Sequence, residues 1–282
     1  MNAKTAESEL NHGLTMFKKY KNLLGELTRK NVKLKYRNSW LGIFWSFLQP
    51  LLNMTVLSII FTYIFVHDPK DVICFPVYLF AGRLMLDFFN TATRQAMTSF
   101  RVNQAIIKKV YVPKYMYPLS SIFSCFVTLA ISLLGYILVW IFFKMTGFVN
   151  GSALSLSWRV LLVPIPLILI LLFSTGVGLI LSVLCVYFRD IEYIWGVFQT
   201  LLLYMVPVLY HINYVKNHPT LKLIIRINPL YHMIEMFRQC VLYPDATFSW
   251  RMLLYATVTS ILMLALGMII FNWKSDEIIY HL

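Results

Sequence analysis

Two stretches of this chain, Tyr115 to Phe143 and Val160 to Phe188, hold no charged residue, and each is closed on both sides by a basic one: Lys114 and Lys144, then Arg159 and Arg189. About 20 consecutive apolar residues let a helix cross the hydrocarbon core of a bilayer, so each stretch predicts a transmembrane span. Leu41 to Val66, free of Asp, Glu, Lys, Arg and His, predicts another, and Met252 to Trp273, bracketed by Arg251 and Lys274, a fourth. Asn272 and Trp273 suit the membrane interface at the end of that run. The composition agrees: 59% of the 282 residues are hydrophobic and only 13% charged, whereas a soluble domain draws about a quarter of its residues from the charged types.

Two further spans rest on weaker signals. Val72 to Ser99 carries Arg83 and Asp87, four apart on one helical face, where they can pair and keep the charge out of lipid. Tyr193 to Val215 has Pro207 and His211 near its far end. The expected fold is an all-α integral membrane protein of about six transmembrane helices. Segment 1–40 is a cytoplasmic amphipathic and basic leader. A transmembrane domain follows at 41–273, with spans near 41–66, 72–99, 115–143, 160–188, 193–215 and 252–273, and then a tail at 274–282. In the leader, Leu10, Leu14, Phe17, Leu24 and Leu27 recur at helical spacing among lysines, the pattern of a helix lying on a membrane surface. The other reading is a solvated basic tail. No cleavable signal peptide is expected, because the leader lacks a short apolar core.

The net charge of +13 could suit nucleic acid or anionic lipid, but in so apolar a chain it reads as an orientation signal. Basic residues crowd the leader (Lys18, Lys19, Lys21, Arg29, Lys30, Lys33, Lys35, Arg37) and the connection after the second span (Arg94, Arg101, Lys108, Lys109, Lys114). The positive-inside rule then puts both termini in the cytoplasm. His211 to Arg251, also basic, runs against this on the outer side, where long translocated loops obey the rule poorly.

Chemistry is sparse. His232 and Glu235 stand three apart, a spacing metal sites use, but without a third ligand capping or interface polarity is the better reading. Cys74, Cys125, Cys185 and Cys240 have no metal spacing and read as small core residues, with a Cys74–Cys240 disulfide as an alternative. No glycine is followed by lysine, so a phosphate-binding loop is missing. Any ATP-driven work therefore needs another polypeptide. Ser46, Gln49 and Asn53 stripe one face of the first span, either lining a path or bonding between helices. Thr200, Tyr204 and His211 roughly share a face in the fifth span, with Gln199 beside it, and read as core packing. Asn103 to Pro113, with Ile106, Ile107, Lys108, Lys109, Val110 and Tyr111, is a basic, apolar cytoplasmic segment, suited to a groove on a soluble subunit or to anionic lipid. Phe188, Arg189, Asp190 and Ile191 form a short cytoplasmic turn, in which Arg189 either takes part in a gate or satisfies terminal carbonyls. Leu221 to Tyr243 is too apolar for a loop and too charged for a span, which suggests re-entrant outer helices broken at Asn228-Pro229.

Four ordered motifs carry a family resemblance. Lys35-Tyr36-Arg37-Asn38-Ser39-Trp40-Leu41-Gly42 running into Trp45 and Pro50 resembles the entrance to the first span of ABC-2 type permeases, especially the polysaccharide-exporter branch. Ile107 to Pro113, Tyr187 to Ile191 and Asn228-Pro229-Leu230-Tyr231 resemble further stretches of that branch in the same order. The resemblance implies a six-span permease in the bacterial cytoplasmic membrane that dimerises and binds two copies of an ABC ATPase, which holds the ATP and Mg. It further implies export of an undecaprenyl-linked glycan such as O-antigen, teichoic acid or another cell-wall polysaccharide, with no cofactor in this chain and no nucleic-acid partner. The family's coupling helix falls on Asn103 to Pro113, its inner gate on Phe188, Arg189 and Asp190, and its re-entrant helices around Asn228, Pro229 and Tyr231. Its aromatic path falls on Phe44, Phe47, Phe61 and Tyr204. Two other classes stay open: a membrane glycosyl- or acyltransferase, for which Asp87 alone is poor support, and a secondary transporter, which would show repeat symmetry between halves.

Overall fold

The computed structural model describes residues 20–35, 40, 42–63, 72–109, 112–155, 157–215, 218–243, 249–274 and 277. Helix α1 covers 20–35. It is followed by α2 (Trp45–Tyr63), α3 (Phe75–Val102), the single turn α4 (Gln104–Ile107), α5 (Met116–Thr146), α6 (Pro164–Tyr187), α7 (Ile191–Met205), α8 (Pro219–Ile227), α9 (Pro229–Val241) and α10 (Trp250–Lys274). Among the described residues there is no strand. Leu10, Leu14 and Phe17 lie outside the described residues.

Among the described residues, three stretches are long and apolar enough to cross a membrane: Met116–Thr146, Trp158–Tyr187 and Trp250–Lys274. Helix α3, although 28 residues long, is not among them. It carries Arg83, Asp87, Arg94 and Arg101, yet it is the helix around which the bundle forms, packed against α2, α5, α6, α7 and α9. A helix covered by protein need not be apolar on every face. Its start is set by Pro76 in the first turn, whose missing N–H would find no partner there in any case. The helix therefore begins at Phe75 rather than at the expected Val72.

The fifth span departs further from expectation. Instead of running from Tyr193 to Val215, α7 ends at Met205, and Val206 is extended (φ −93°, ψ 126°). The cause is Pro207: the residue before a proline is driven out of the helical region, and the proline itself has no N–H to continue the ladder.

Lipid tails are as apolar as leucine, so helix association in a membrane rests on close packing. Helices α6 and α10 meet through glycines. A Cβ on Gly176 would lie 2.3 Å from the Met263 carbonyl oxygen, and one on Gly267 would lie 2.5 Å from the Gly176 carbonyl oxygen. Rings fill the centre: Phe80 and Phe237 flank Tyr136 at 5.5 and 5.8 Å between centroids, and Phe89 stacks on Phe173 at 5.7 Å. A smaller cluster of Phe100, Tyr117, Leu179, Val183 and Phe271 closes the end of the bundle where α3 finishes and α5 begins. Outward, α5 presents Leu134, Ile137, Leu138 and Phe142, and α10 presents Leu254, Val258, Ile261 and Ile269, as lipid-facing helices do.

Cys74, Cys125 and Cys240 are buried, Cys185 is partly so, and all four are free. The Cys74–Cys240 disulfide held open as an alternative does not form: the two thiols serve as small apolar fillers. Gln95 accepts a hydrogen bond from the Cys125 thiol at 3.1 Å.

Candidate functional site

Arg83 and Asp87 face a cleft between α2, α3 and α5. The Arg83 Nε donates to Asp87 Oδ2 at 2.9 Å, and the two side chains remain 31% and 46% exposed. A charged pair at membrane depth persists only where protein covers it or water reaches it. The cleft, about 300 Å³, supplies polar neighbours: Gln49 and Asn53 from α2, Thr91 from α3, Thr128 and Ser132 from α5, and Lys35 at one end. Phe80 and Phe88 add rings to the same walls. Gln49 and Asn53 are four apart and so share a face of α2; both are exposed. Amide, hydroxyl, guanidinium and carboxylate groups beside aromatic faces can match a ligand rich in hydroxyl groups with apolar ring faces.

The other polar positions expected on the first span divide. Ser46 and Phe61 have side chains outside the described residues. Phe44 is 51% exposed and lies 5.4 Å from the Phe47 ring. A Cβ on Gly135 of α5 would come within 3.1 Å of the Phe47 ring, so Phe47 fills the space this glycine leaves. On the opposite flank of α3, Gln199 of α7 donates to the Asn90 carbonyl at 2.7 Å, and Trp195 Nε1 donates to Thr93 Oγ1 at 3.2 Å. Tyr204 stands exposed on α7 beside Leu201 and Val197, and its carbonyl accepts from the Tyr210 hydroxyl at 2.8 Å. Leu202 is the one residue buried among those described in α7.

At the far end of α3, Asn103 is buried. Its Nδ2 donates to the Ser99 carbonyl at 2.8 Å, and its Oδ1 accepts from Lys30 of α1 at 3.4 Å. The turn α4 follows, with Ile106 and Ile107 half-buried and Lys108 and Lys109 exposed. Ile107 packs against the small cluster at the bundle end, and Pro113 is half-buried before α5. Val110 and Tyr111 lie outside the described residues. Phe188, Arg189 and Asp190 are exposed in the turn that opens α7. Among the described residues, the ion pair at this turn joins Arg101, at the end of α3, to Glu192 at 2.9 Å. It ties the turn to the segment holding Asn103, and no short-range motif announces it.

Helices α8 and α9 meet at Asn228, which is extended and whose Oδ1 accepts the Leu230 N–H at 3.1 Å, so α8 stops and α9 starts at the expected break. Pro229 occupies the first turn of α9, and Tyr231 is buried. His232 Nε2 bonds the Arg226 carbonyl at 2.7 Å. Among the described residues, no group of three or more His, Cys, Asp or Glu gathers as a metal set.

Arg238 of α9 is one of the charges that make Leu221 to Tyr243 too polar for a simple span. It is fully buried. Its Nη1 donates to the Pro207 carbonyl at 2.8 Å and to the Tyr78 hydroxyl at 2.7 Å. Its Nη2 donates to the Val208 carbonyl at 3.2 Å, and its Nε to the Tyr78 carbonyl at 3.3 Å. The guanidinium lies 3.5 Å from the centroid of the Tyr78 ring, and Glu235 Oε2 is 3.7 Å from Nη1. Gly82 is small for this reason, since a Cβ there would fall 2.3 Å from Arg238 Nη2. One side chain thus collects the carbonyls freed where Pro207 breaks α7 and fastens them to α3 and α9. A sequence signal did exist: Leu230, Ile234 and Arg238 fall four apart, which puts the arginine on the apolar face of α9.

The model of the ABC-2 type transporter family matches residues 22–242, most of the chain. The chain belongs to the ABC-2 type transporter family. This ABC-2 chain is 30% identical over 259 residues to the O-antigen export system permease protein RfbA of Klebsiella pneumoniae, covering 89% of this chain and 91% of that one. It is 25% identical over 258 residues to the RfbA of Myxococcus xanthus, covering 92% and 94%. It is also 22% identical to the polysialic acid transport protein KpsM of Escherichia coli, covering 89% and 92%. An ABC-2 permease is a multi-pass membrane component of a transporter that works with a partner ATPase. The readings as an envelope transferase or a secondary transporter give way to it.

Proposed function

We propose that this permease exports a lipid-linked cell-envelope polysaccharide across the cytoplasmic membrane, as a dimer of two copies of this chain with two ATPase subunits. The observation that carries the reading is end-to-end similarity to permeases of O-antigen export, together with a polar, ring-lined cleft on a membrane helix. A polymer of many hydroxyl groups cannot cross hydrocarbon unaided, because each unpaired hydroxyl is costly to desolvate. Polar groups for hydroxyls and rings for sugar faces remove that barrier. In the dimer, Ser46, Gln49 and Asn53 line the path, with Phe44, Phe47, Phe61 and Tyr204 as its aromatic faces. Phe188, Arg189 and Asp190 close its cytoplasmic end, and Asn228, Pro229 and Tyr231 belong to re-entrant helices at the outer end. Six spans with both termini inside follow from the basic leader and the basic connection after α3. Maleimide added outside intact cells is therefore expected to label a single cysteine at position 70 and not one at 108; labelling at 108 inverts the orientation.

The ATPase docks on Asn103 to Pro113. Exposed Lys108 and Lys109 and the half-buried Ile106 and Ile107 offer charge and apolar contact next to the Arg101–Glu192 tie. Closure of the ATPase pair would then move α3 and α7 as one body. Replacing Ile107 and Lys108 together by Glu is expected to cut recovery of the ATPase in a pull-down by at least tenfold, with the permease still folded. Unchanged recovery removes this segment as the docking site.

A further inference from the structure

Between α1 and α5 runs a groove of about 570 Å³ that the transport reading leaves unused. Its floor is apolar: Leu24 and Val32 from α1, Phe123, Phe126 and Val127 from α5. Its rim is basic. Lys21, Arg29 and Lys33 line it, and their spacing puts them on one side of α1. All three are exposed, and among the described residues none pairs with a carboxylate. Gly25 leaves the groove open at its middle, with nothing within 4 Å of where a Cβ would stand.

Thr28 lines the same groove, and its hydroxyl is buried with no hydrogen-bond partner among the described residues. Other helical threonines here, such as Thr128 and Thr175, return their hydrogen to the carbonyl four residues back. Helix α1 is itself fastened: Lys30 bonds Asn103 at 3.4 Å and Asn31 Nδ2 bonds Ser120 Oγ at 3.3 Å. The groove is therefore a fixed feature of α1 against α5 rather than a gap left by a loosely held helix.

We infer that this groove is a binding site for an acidic phospholipid: one acyl chain lies on the Leu24, Val32, Phe123, Phe126 and Val127 floor, and the phosphate meets Lys21, Arg29 and Lys33. The charge of the rim selects the occupant. A zwitterionic lipid brings its own cation to three unpaired cations, whereas an acidic one brings a net negative charge. The Thr28 hydroxyl sits at the depth of the glycerol esters, where an ester carbonyl can accept its hydrogen. Because α1 also holds Asn103, the occupant would steady the segment at the cytoplasmic end of α3. The assignment rests on α1 lying at the membrane interface and is independent of the cargo.

The test uses the full-length chain in mild detergent, with lipid retention read by native mass spectrometry against phosphatidylglycerol and phosphatidylcholine. Wild type is expected to retain phosphatidylglycerol with a preference on the order of a hundredfold, about fivefold from each basic side chain. Changing Lys21, Arg29 and Lys33 to Gln should erase the preference, and Gly25→Phe, which plugs the groove, should remove retention of both lipids. Equal retention of the two lipids by wild type, a measurement that needs no variant, overturns the inference. So does displacement of phosphatidylglycerol by equimolar undecaprenyl phosphate, since the groove would then belong to the cargo lipid.

Discussion

Replacing Arg238 by Gln is expected to destabilise the permease by about 3–5 kcal/mol, the range for breaking a buried, paired charge by removing one partner. The loss has several parts. The Pro207, Val208 and Tyr78 carbonyls lose their donor, Glu235 loses its counter-charge, and the Tyr78 ring loses its cation. Arg238→Lys should recover little, because a single ammonium nitrogen cannot occupy the three separate positions from which Nε, Nη1 and Nη2 donate. Thermal unfolding in detergent measures both variants. Midpoints matching wild type would mean that the α7 break is held by something else.

Asn53→Trp is expected to cut export by at least an order of magnitude while leaving folding and ATPase recovery unchanged. Asn53 is exposed and borders the cleft that holds Arg83 and Asp87, so an indole has room to enter without displacing packed side chains. At Gly176, by contrast, the neighbouring backbone already fills the space, and a large residue should disrupt folding itself. Loss of the folded protein in Asn53→Trp would assign the α2 stripe to helix packing. Full export with an intact fold would place the path elsewhere.

What could be read in advance follows from what each helix touches. Helices α5 and α10 turn broad apolar faces outward, where lipid excludes charge, and α6 is apolar throughout although the bundle covers most of it, so Tyr115 to Phe143, Val160 to Phe188 and Met252 to Trp273 stand out in the sequence. Helix α3 meets protein on most sides, which relaxes that exclusion; the four-residue spacing of Arg83 and Asp87 revealed it, where hydropathy did not. Around the fifth expected span the apolar residues continue past Pro207, whereas the helix ends at Met205, because proline stops a helix without changing hydropathy. The polar cleft was half legible: Gln49 and Asn53 announced a face, and Arg83 and Asp87 a pair, but only the packing of α2 beside α3 brings them to one space. Arg238 and the Arg101–Glu192 tie were not legible as contacts. The first uses mostly backbone carbonyls, which have no residue signature, and the second joins helices far apart in the chain.

The most direct measurement of the account is where the polymer resides when this chain is absent. In cells depleted of the permease, envelope polysaccharide should accumulate on the cytoplasmic side, bound to its lipid carrier, and vanish from the surface. Wild type should restore the surface polymer, and Asn53→Trp should not. Surface polysaccharide at normal levels in depleted cells, with no intracellular pool, would contradict export by this chain.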